Sequence, residues 1–329
     1  MNPLPAPVAA HGNVSLQGEP AKLAGARLPR RLLLLGMSLL SLAALCIMSI
    51  HAWIAWKLAY PGIARLSVNP LEAKNLAYEE IVFPGFGGTA MADGWWIPSG
   101  DSAKTVVLSH GYGANREELW VPMYDLAEIL HRAGYNVLMF DYGYASEKFR
   151  HPATGGHREA LQLLGAVDYA RQRGSERIVV WGFSMGAGTA LQAALRHHEA
   201  PIDAMILDSI FLPSKETLTY ALENRGIDLP AKPSLSLVER FFTLISGTRL
   251  ADLPVERALQ TDYRFPIFLI HGTKDAKSPP MLAEHIASLQ THPASRLWIA
   301  ENALHEMIFR MHKEEYLART LSFLAEAGV

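Results

Sequence analysis

Residues Arg177 to Leu195 read RIVVWGFSMGAGTALQAAL. The apolar run at the start predicts a buried strand, and the small-residue run at the end predicts a helix. Between them stands Gly182-Phe183-Ser184-Met185-Gly186. A chain of this length matches G-x-S-x-G by chance about one time in ten, so the placement between strand and helix carries the specificity. A sharp turn there lifts a serine oxygen above the sheet edge, and glycine on both sides lets the backbone pack tightly. Ser184 is therefore the candidate nucleophile.

A serine hydroxyl is a weak nucleophile and needs a base. His305 lies in the loop Glu-Asn-Ala-Leu-His after the predicted strand Arg296–Ile299. Asp275 closes the stretch His271-Gly272-Thr273-Lys274-Asp275 after the predicted strand Pro266–Ile270. All three residues fall in loops after strands, where open α/β sheets place their sites. His305 would take the Ser184 proton, and Asp275 would fix the imidazole tautomer. Asp208, just after the predicted strand Ala204–Leu207, is the rival acid. A turn aspartate or a surface histidine would fill the same places without chemistry. The developing oxyanion needs two backbone N–H donors. The Met185 amide is one. The other is expected from His110-Gly111-Tyr112-Gly113, after the predicted strand Thr105–Ser109, with the Tyr112 amide as the candidate.

Further outward, predicted strands at Tyr78–Phe83, Gly94–Ile97 and Asn136–Phe140 alternate with predicted helices. Those helices run from about Arg116, over Arg158–Arg173, from Met185, over Met281–Leu289 and over Lys313–Ala327. Such alternation predicts a mostly parallel sheet with helices on both faces. Residues 210–264 are too long for a simple crossover, and their helical-looking pieces Lys215–Glu223 and Leu235–Ile245 predict a small helical lid.

The N-terminal part has a different character. Residues 1–31 read as a flexible tail. Residues 32–56 lack Lys, Arg, Asp and Glu and are long enough for a transmembrane helix. Arg27, Arg30 and Arg31 flank one end, and Trp53, Trp56, Lys57 and Tyr60 suit the interface at the other. A buried core helix or a cleaved signal peptide would share this composition. The run is long for a signal sequence and lacks a small-x-small cleavage site, so an uncleaved anchor fits better. The basic flank favours a cytoplasmic N-terminus and an extracytoplasmic main domain. Residues 57–77 read as a linker and 78–329 as the globular domain.

Four features in order, HGYG, GFSMG, HGTKD and the late His305, resemble the α/β-hydrolase superfamily over roughly Tyr78 to Val329. The chain is more narrowly similar to membrane-anchored abhydrolase-domain serine hydrolases. The resemblance implies an α/β-hydrolase sheet and the chain order Ser, acid, His, which sets aside His285, His292 and His312. It also implies a structural role for Asp208 in Leu207-Asp208-Ser209. Asp141-Tyr142-Gly143-Tyr144 departs from the related Asp-Tyr-Arg-Gly-x-Gly type, since a basic residue after Tyr142 is missing.

Composition narrows the rest. The 329 residues carry a net charge of −2, so no global basic field is present for nucleic acid. The single cysteine, Cys46, excludes an internal disulfide and a cysteine-type zinc site. His151, His157, His197 and His198 match no metal-ligand spacing, and no dinucleotide fingerprint follows a strand. The expected reaction is cofactor-free hydrolysis of a carboxylic ester or thioester through an acyl-Ser184 intermediate, on a small-molecule or lipid-like acyl substrate. An amide or peptide hydrolase, or a non-catalytic binding protein on the same fold, are the alternatives.

Overall fold

In the computed structural model, which describes residues 29–196, 202–224 and 231–329, eight strands form one sheet. They are β1 (Glu79–Gly85), β2 (Thr89–Ile97), β3 (Lys104–Ser109), β4 (Asn136–Asp141), β5 (Arg177–Phe183), β6 (Ala204–Asp208), β7 (Ile267–Gly272) and β8 (Arg296–Ala300). Their order is β1-β2-β4-β3-β5-β6-β7-β8. The hairpin β1–β2 and the β2–β4 pair are antiparallel; every pairing from β4 to β8 is parallel. The chain lays β4 on one side of β3 and β5 on the other. That reversal opens a crevice beyond the carboxyl ends of β3 and β5, where α/β sheets place their sites.

Alternation along the strands decides which face each side chain meets. Val107, Leu138, Val180, Leu207 and Leu269 point into one core, while Val106, Leu108, Met139, Trp181, Ile206 and Ile270 point into the other. The first core is covered by α4 (His157–Gln172), α5 (Met185–Ala194), α8 (Val255–Gln260) and α9 (Pro280–Leu289). The second is covered by α3 (Met123–Arg132) and α11 (Lys313–Glu326). The sheet is thus dry on both faces, as its near-continuous apolar strands require. Between β6 and β7 lie α6 (Lys215–Glu223), α7 (Ala231–Ser246) and α8. A short α10 (Ile308–Met311) precedes α11.

The expected helix from Arg116 begins at Met123 instead. Arg116 is drawn away from any helix by its partners. Its amide donates to Asp141 Oδ1 at 2.6 Å, and its guanidinium pairs with Asp141 at 2.7 Å and with Asp93. Glu118 then takes φ 34°, and Pro122 caps the helix. Leu119, which falls within the expected helix, is 64% exposed.

The chain divides into two compact units, Met1–Ile47 and Met48–Val329. The described part of the first is the leading portion of one helix, α1 (Arg30–Ala59), preceded by Pro29. This helix is longer than the expected 32–56, taking in Arg30 and Arg31 from the expected tail. It is long and apolar enough to cross a membrane, a test that a signal sequence near the N-terminus also passes. The rest of the expected tail lies outside the described residues.

Within the second unit, residues 57–77 are held rather than loose. They include the short helix α2 (Pro70–Lys74), capped by Asn69. Asn115 donates to the Ala64 carbonyl at 2.8 Å, the Ser67 amide donates to Glu117 at 2.8 Å, and Tyr124 donates to the Val68 carbonyl at 2.7 Å. The segment after α1 is therefore stapled along the loop between β3 and α3.

Candidate active site

Ser184 stands at the junction of β5 and α5 with φ 50° and ψ −116°. A non-glycine residue in this region is strained by roughly 1–3 kcal/mol and persists only where its surroundings impose it. They do so here. The Ser184 amide donates to the Asp208 carbonyl at 2.9 Å, and the Phe211 amide donates to the Ser184 carbonyl at 3.0 Å. The two glycines of the motif have distinct reasons. A Cβ at Gly182 would lie 2.6 Å from Ala187 Cα, and one at Gly186 would strike the Ser109 and His110 carbonyls. Gly186 thus lets the start of α5 press against the end of β3.

The other two partners meet because β7 and β8 are adjacent. The Thr273 amide donates to the Ala300 carbonyl at 3.0 Å, and the Lys274 amide to the Ala303 carbonyl at 3.0 Å. Stitched in this way, the two loops bring His305 Nδ1 to 2.6 Å from Asp275 Oδ2. His305 Nε2 lies 2.8 Å from Ser184 Oγ. A proton on Nδ1 faces the carboxylate, which leaves Nε2 to accept from the serine hydroxyl. The sequence-predicted Ser184, His305 and Asp275 therefore form one hydrogen-bonded chain. Ser184 is 7% and His305 9% exposed, so the reacting groups are nearly shielded from solvent.

Asp275 is prepared to remain ionised. Burial alone would push its carboxyl up, but hydrogen bonds from His271 and His305 outweigh burial and hold it below the usual carboxylate range. Its Oδ1 accepts the Lys277 and Ser278 amides at 2.8 and 2.9 Å. His271 Nε2 lies 3.1 Å from Asp275 Oδ2 and 3.0 Å from the Ser278 carbonyl. Facing two acceptors, that nitrogen carries the proton. The rival acid Asp208 is occupied elsewhere. Ser209 and Tyr316 hydroxyls donate to it at 2.8 and 2.9 Å, and burial raises its carboxyl to about 6.

Met185 occupies the first position of α5, where an amide has no acceptor within the helix. Neither its amide nor that of Tyr112 enters the hydrogen bonds that fix the turns around the site. Tyr144 OH donates to the Gly111 carbonyl at 3.2 Å and His110 Nδ1 approaches it at 2.8 Å, which anchors the Tyr112 loop from below. Gly143 explains the departure at Asp141-Tyr142-Gly143-Tyr144: a Cβ there would run into the His151 ring. Asp141 finds its cation in Arg116 instead.

Several partners of the site were not singled out from the sequence. They are His271 and Ser278 around Asp275, Tyr220 of α6, which donates to the Asp275 carbonyl at 2.9 Å, and Glu118 and Glu306 beneath the Gly111 loop. The histidine of His271-Gly272 at a strand end was the one visible signal. Among the described residues, no group of three or more His, Cys, Asp or Glu side chains is placed to hold a metal ion. His197 and His198 lie outside the described residues.

A family profile described as alpha/beta hydrolase fold matches residues 104–234. This sheet, with a strained serine after β5 and a histidine after β8, is the α/β-hydrolase fold, and the comparisons place the chain's resemblance in that superfamily. The chain is 27% identical to the Bacillus subtilis protein YqkD over 233 residues, covering 70% of this chain and 74% of the relative. It is 26% identical to Salmonella typhimurium YfhR over 260 residues, covering 74% and 78%. A shorter match, 32% over 95 residues, links it to the rat lysophosphatidylserine lipase ABHD12, covering 28% of this chain and 23% of that protein. Among solved structures, the Pyrococcus furiosus esterase Pf2001 superposes with a TM-score of 0.65 at 27% identity, covering 82% of this chain and 98% of the esterase. These neighbours support an ester hydrolase in general terms.

Proposed function

We propose that the protein is a membrane-anchored serine hydrolase that cleaves a carboxylic ester or thioester through an acyl-Ser184 intermediate. The observation that carries this reading is the continuous chain from Asp275 through His305 to Ser184, at 2.6 and 2.8 Å. His305 takes the Ser184 proton as the oxygen attacks the acyl carbon, then gives it to the leaving group. Water then attacks the acyl carbon as His305 takes its proton, and His305 gives that proton to Ser184 Oγ as the acyl–oxygen bond breaks and the acyl group leaves as a carboxylic acid. The Met185 and Tyr112 amides receive the oxyanion in both halves. No cofactor takes part in these steps.

Residues 210–264 serve as a lid, with Tyr220 fastening α6 to the acid loop. The exposed apolar side chain of Leu304, next to His305, favours an acyl chain over a charged peptide terminus. The helix α1 anchors the chain, with the N-terminus cytoplasmic and the hydrolase domain extracytoplasmic. The test is a panel of short- and long-chain esters, thioesters and amides, presented to the full chain in detergent. The reading expects turnover of esters or thioesters, abolished in Ser184→Ala. Turnover confined to amides, or surviving in Ser184→Ala, contradicts it. For the orientation, a protease added to intact cells should reach the hydrolase domain.

A further inference from the structure

Two carboxyl groups lie buried beneath the Gly111 loop. Glu118, in the loop after β3, and Glu306, in the loop after β8, are each 2% exposed. Their Oε1 atoms converge on Gly111, where an added Cβ would strike both. Both residues pay for this placement in backbone strain, with φ 34° at Glu118 and 59° at Glu306. Around them the donors are few. The Gly111 amide points at the two Glu118 oxygens at 3.3 Å each, and the Trp120 indole N–H donates to Glu306 Oε2 at 2.7 Å. Among the described residues, no donor reaches the buried Glu306 Oε1. Two facing carboxylates cannot hydrogen-bond, but a carboxyl and a carboxylate can.

We infer that Glu118 and Glu306 share a single proton in the native state and act as positioning residues, fastening the Gly111 loop to the His305 loop. The inference takes its activity readout from the proposed triad. The pair is well situated for the role. Gly111 is the neighbour of Tyr112, whose amide is the oxyanion donor. Glu306 follows His305 directly, and its Oε2 lies 3.7 Å from His305 Nε2. The Glu306 amide is also bonded to Ser209 Oγ at 2.9 Å, which sets the loop against the end of β6.

The titratable groups facing the pair are His305 on the same loop, Asp208 at the end of β6 and Tyr144 across Gly111. Lys277 and Arg310 stand at the rim, on the Trp120 ring and on the Leu119 and Trp120 carbonyls, and neither reaches the carboxyls. Burial, and then the facing Glu306, raise the Glu118 carboxyl well above its ordinary value, against the smaller opposing effect of the Gly111 amide. The native state thus keeps a proton that the unfolded chain releases. Its contribution is fully present below the unfolded carboxylate pKa and declines as the pH rises towards the raised value. Two carboxylates then repel and the two loops separate.

The experiment follows the rate of fluorophosphonate labelling at Ser184 from acidic to alkaline pH, on the full chain in detergent. Glu118→Gln supplies a permanent N–H in place of the shared proton. It should keep the wild-type plateau rate within about threefold and lose the decline seen as the pH rises, whereas Glu118→Ala should fall about tenfold at the plateau. Infrared spectra of wild type and Glu118→Gln provide the second measurement. The wild type should show a protonated-carboxyl stretch that the variant lacks. Glu118→Gln labelling as slowly as Glu118→Ala at equal thermal stability overturns the inference, as does an unchanged decline with rising pH. A wild-type chain that does not label at all defeats the triad reading instead. The infrared band then decides the shared proton by itself, and its absence overturns it.

Discussion

The Tyr112 hydroxyl donates to the carbonyl of Leu58 at 2.6 Å, which ties the candidate oxyanion loop to the last turn of α1. Ala55 and Ala59 of the same turn pack with Phe242 of α7. The end of the apolar helix is thus joined both to α7 and to the Tyr112 loop. Removing the Tyr112 hydroxyl forfeits a hydrogen bond of roughly 1 kcal/mol, or about fivefold in rate if it is felt in the transition state. Tyr112→Phe should therefore lower kcat by about that factor and leave KM nearly unchanged. Steady-state kinetics on a small ester measures both.

The two candidate acids make different predictions. Asp275 accepts from His305, while Asp208 accepts from Ser209 and Tyr316. Asp275→Asn should reduce kcat on the order of 10^3 to 10^4, because the imidazole loses the partner that sets its tautomer. Asp208→Asn should cost far less in kcat and act mainly on stability. Parallel kinetics and thermal melts of the two variants distinguish these roles.

The same two residues shape stability against pH in opposite directions. Asp275 is held below its ordinary value, so its contribution is present above the unfolded carboxylate pKa and is lost as the pH falls through the lowered value. Asp208 is raised to about 6 by burial, so the native state binds a proton there that the unfolded chain has released. Its contribution is fully present below the unfolded value and declines as the pH rises towards about 6. Thermal melts of Asp208→Asn across this window should have a flatter pH dependence than those of the wild type.

Gly186 is predicted to tolerate no side chain. An added methyl group meets the Ser109 and His110 carbonyls, which are backbone and cannot swing aside. Overpacking of this kind costs about 1–3 kcal/mol. Gly186→Ala should lower Tm and also slow acylation, because relief requires α5 to move and carries the Met185 amide with it. Calorimetry and labelling rate should change together.

Much of this architecture was legible in the sequence because its signals are local. The strand RIVVW, the turn GFSMG and the loop positions of Asp275 and His305 each carry their own pattern. Arg116 was misread as the start of a helix because its true partners, Asp93 and Asp141, lie on other strands and leave no periodicity behind. Glu118 and Glu306 were invisible for a similar reason. Each reads as a polar loop residue, and only the meeting of the β3 and β8 loops buries them together. The antiparallel placement of β1 and β2 also depends on pairing, which a mostly parallel expectation does not specify.

The most direct test of the central claim is fluorophosphonate labelling of the full chain in detergent, followed by peptide mapping. The account predicts a single modified serine, Ser184, with labelling lost in Ser184→Ala and strongly slowed in His305→Ala. Labelling at another serine, or labelling of Ser184 at the wild-type rate in His305→Ala, would contradict it.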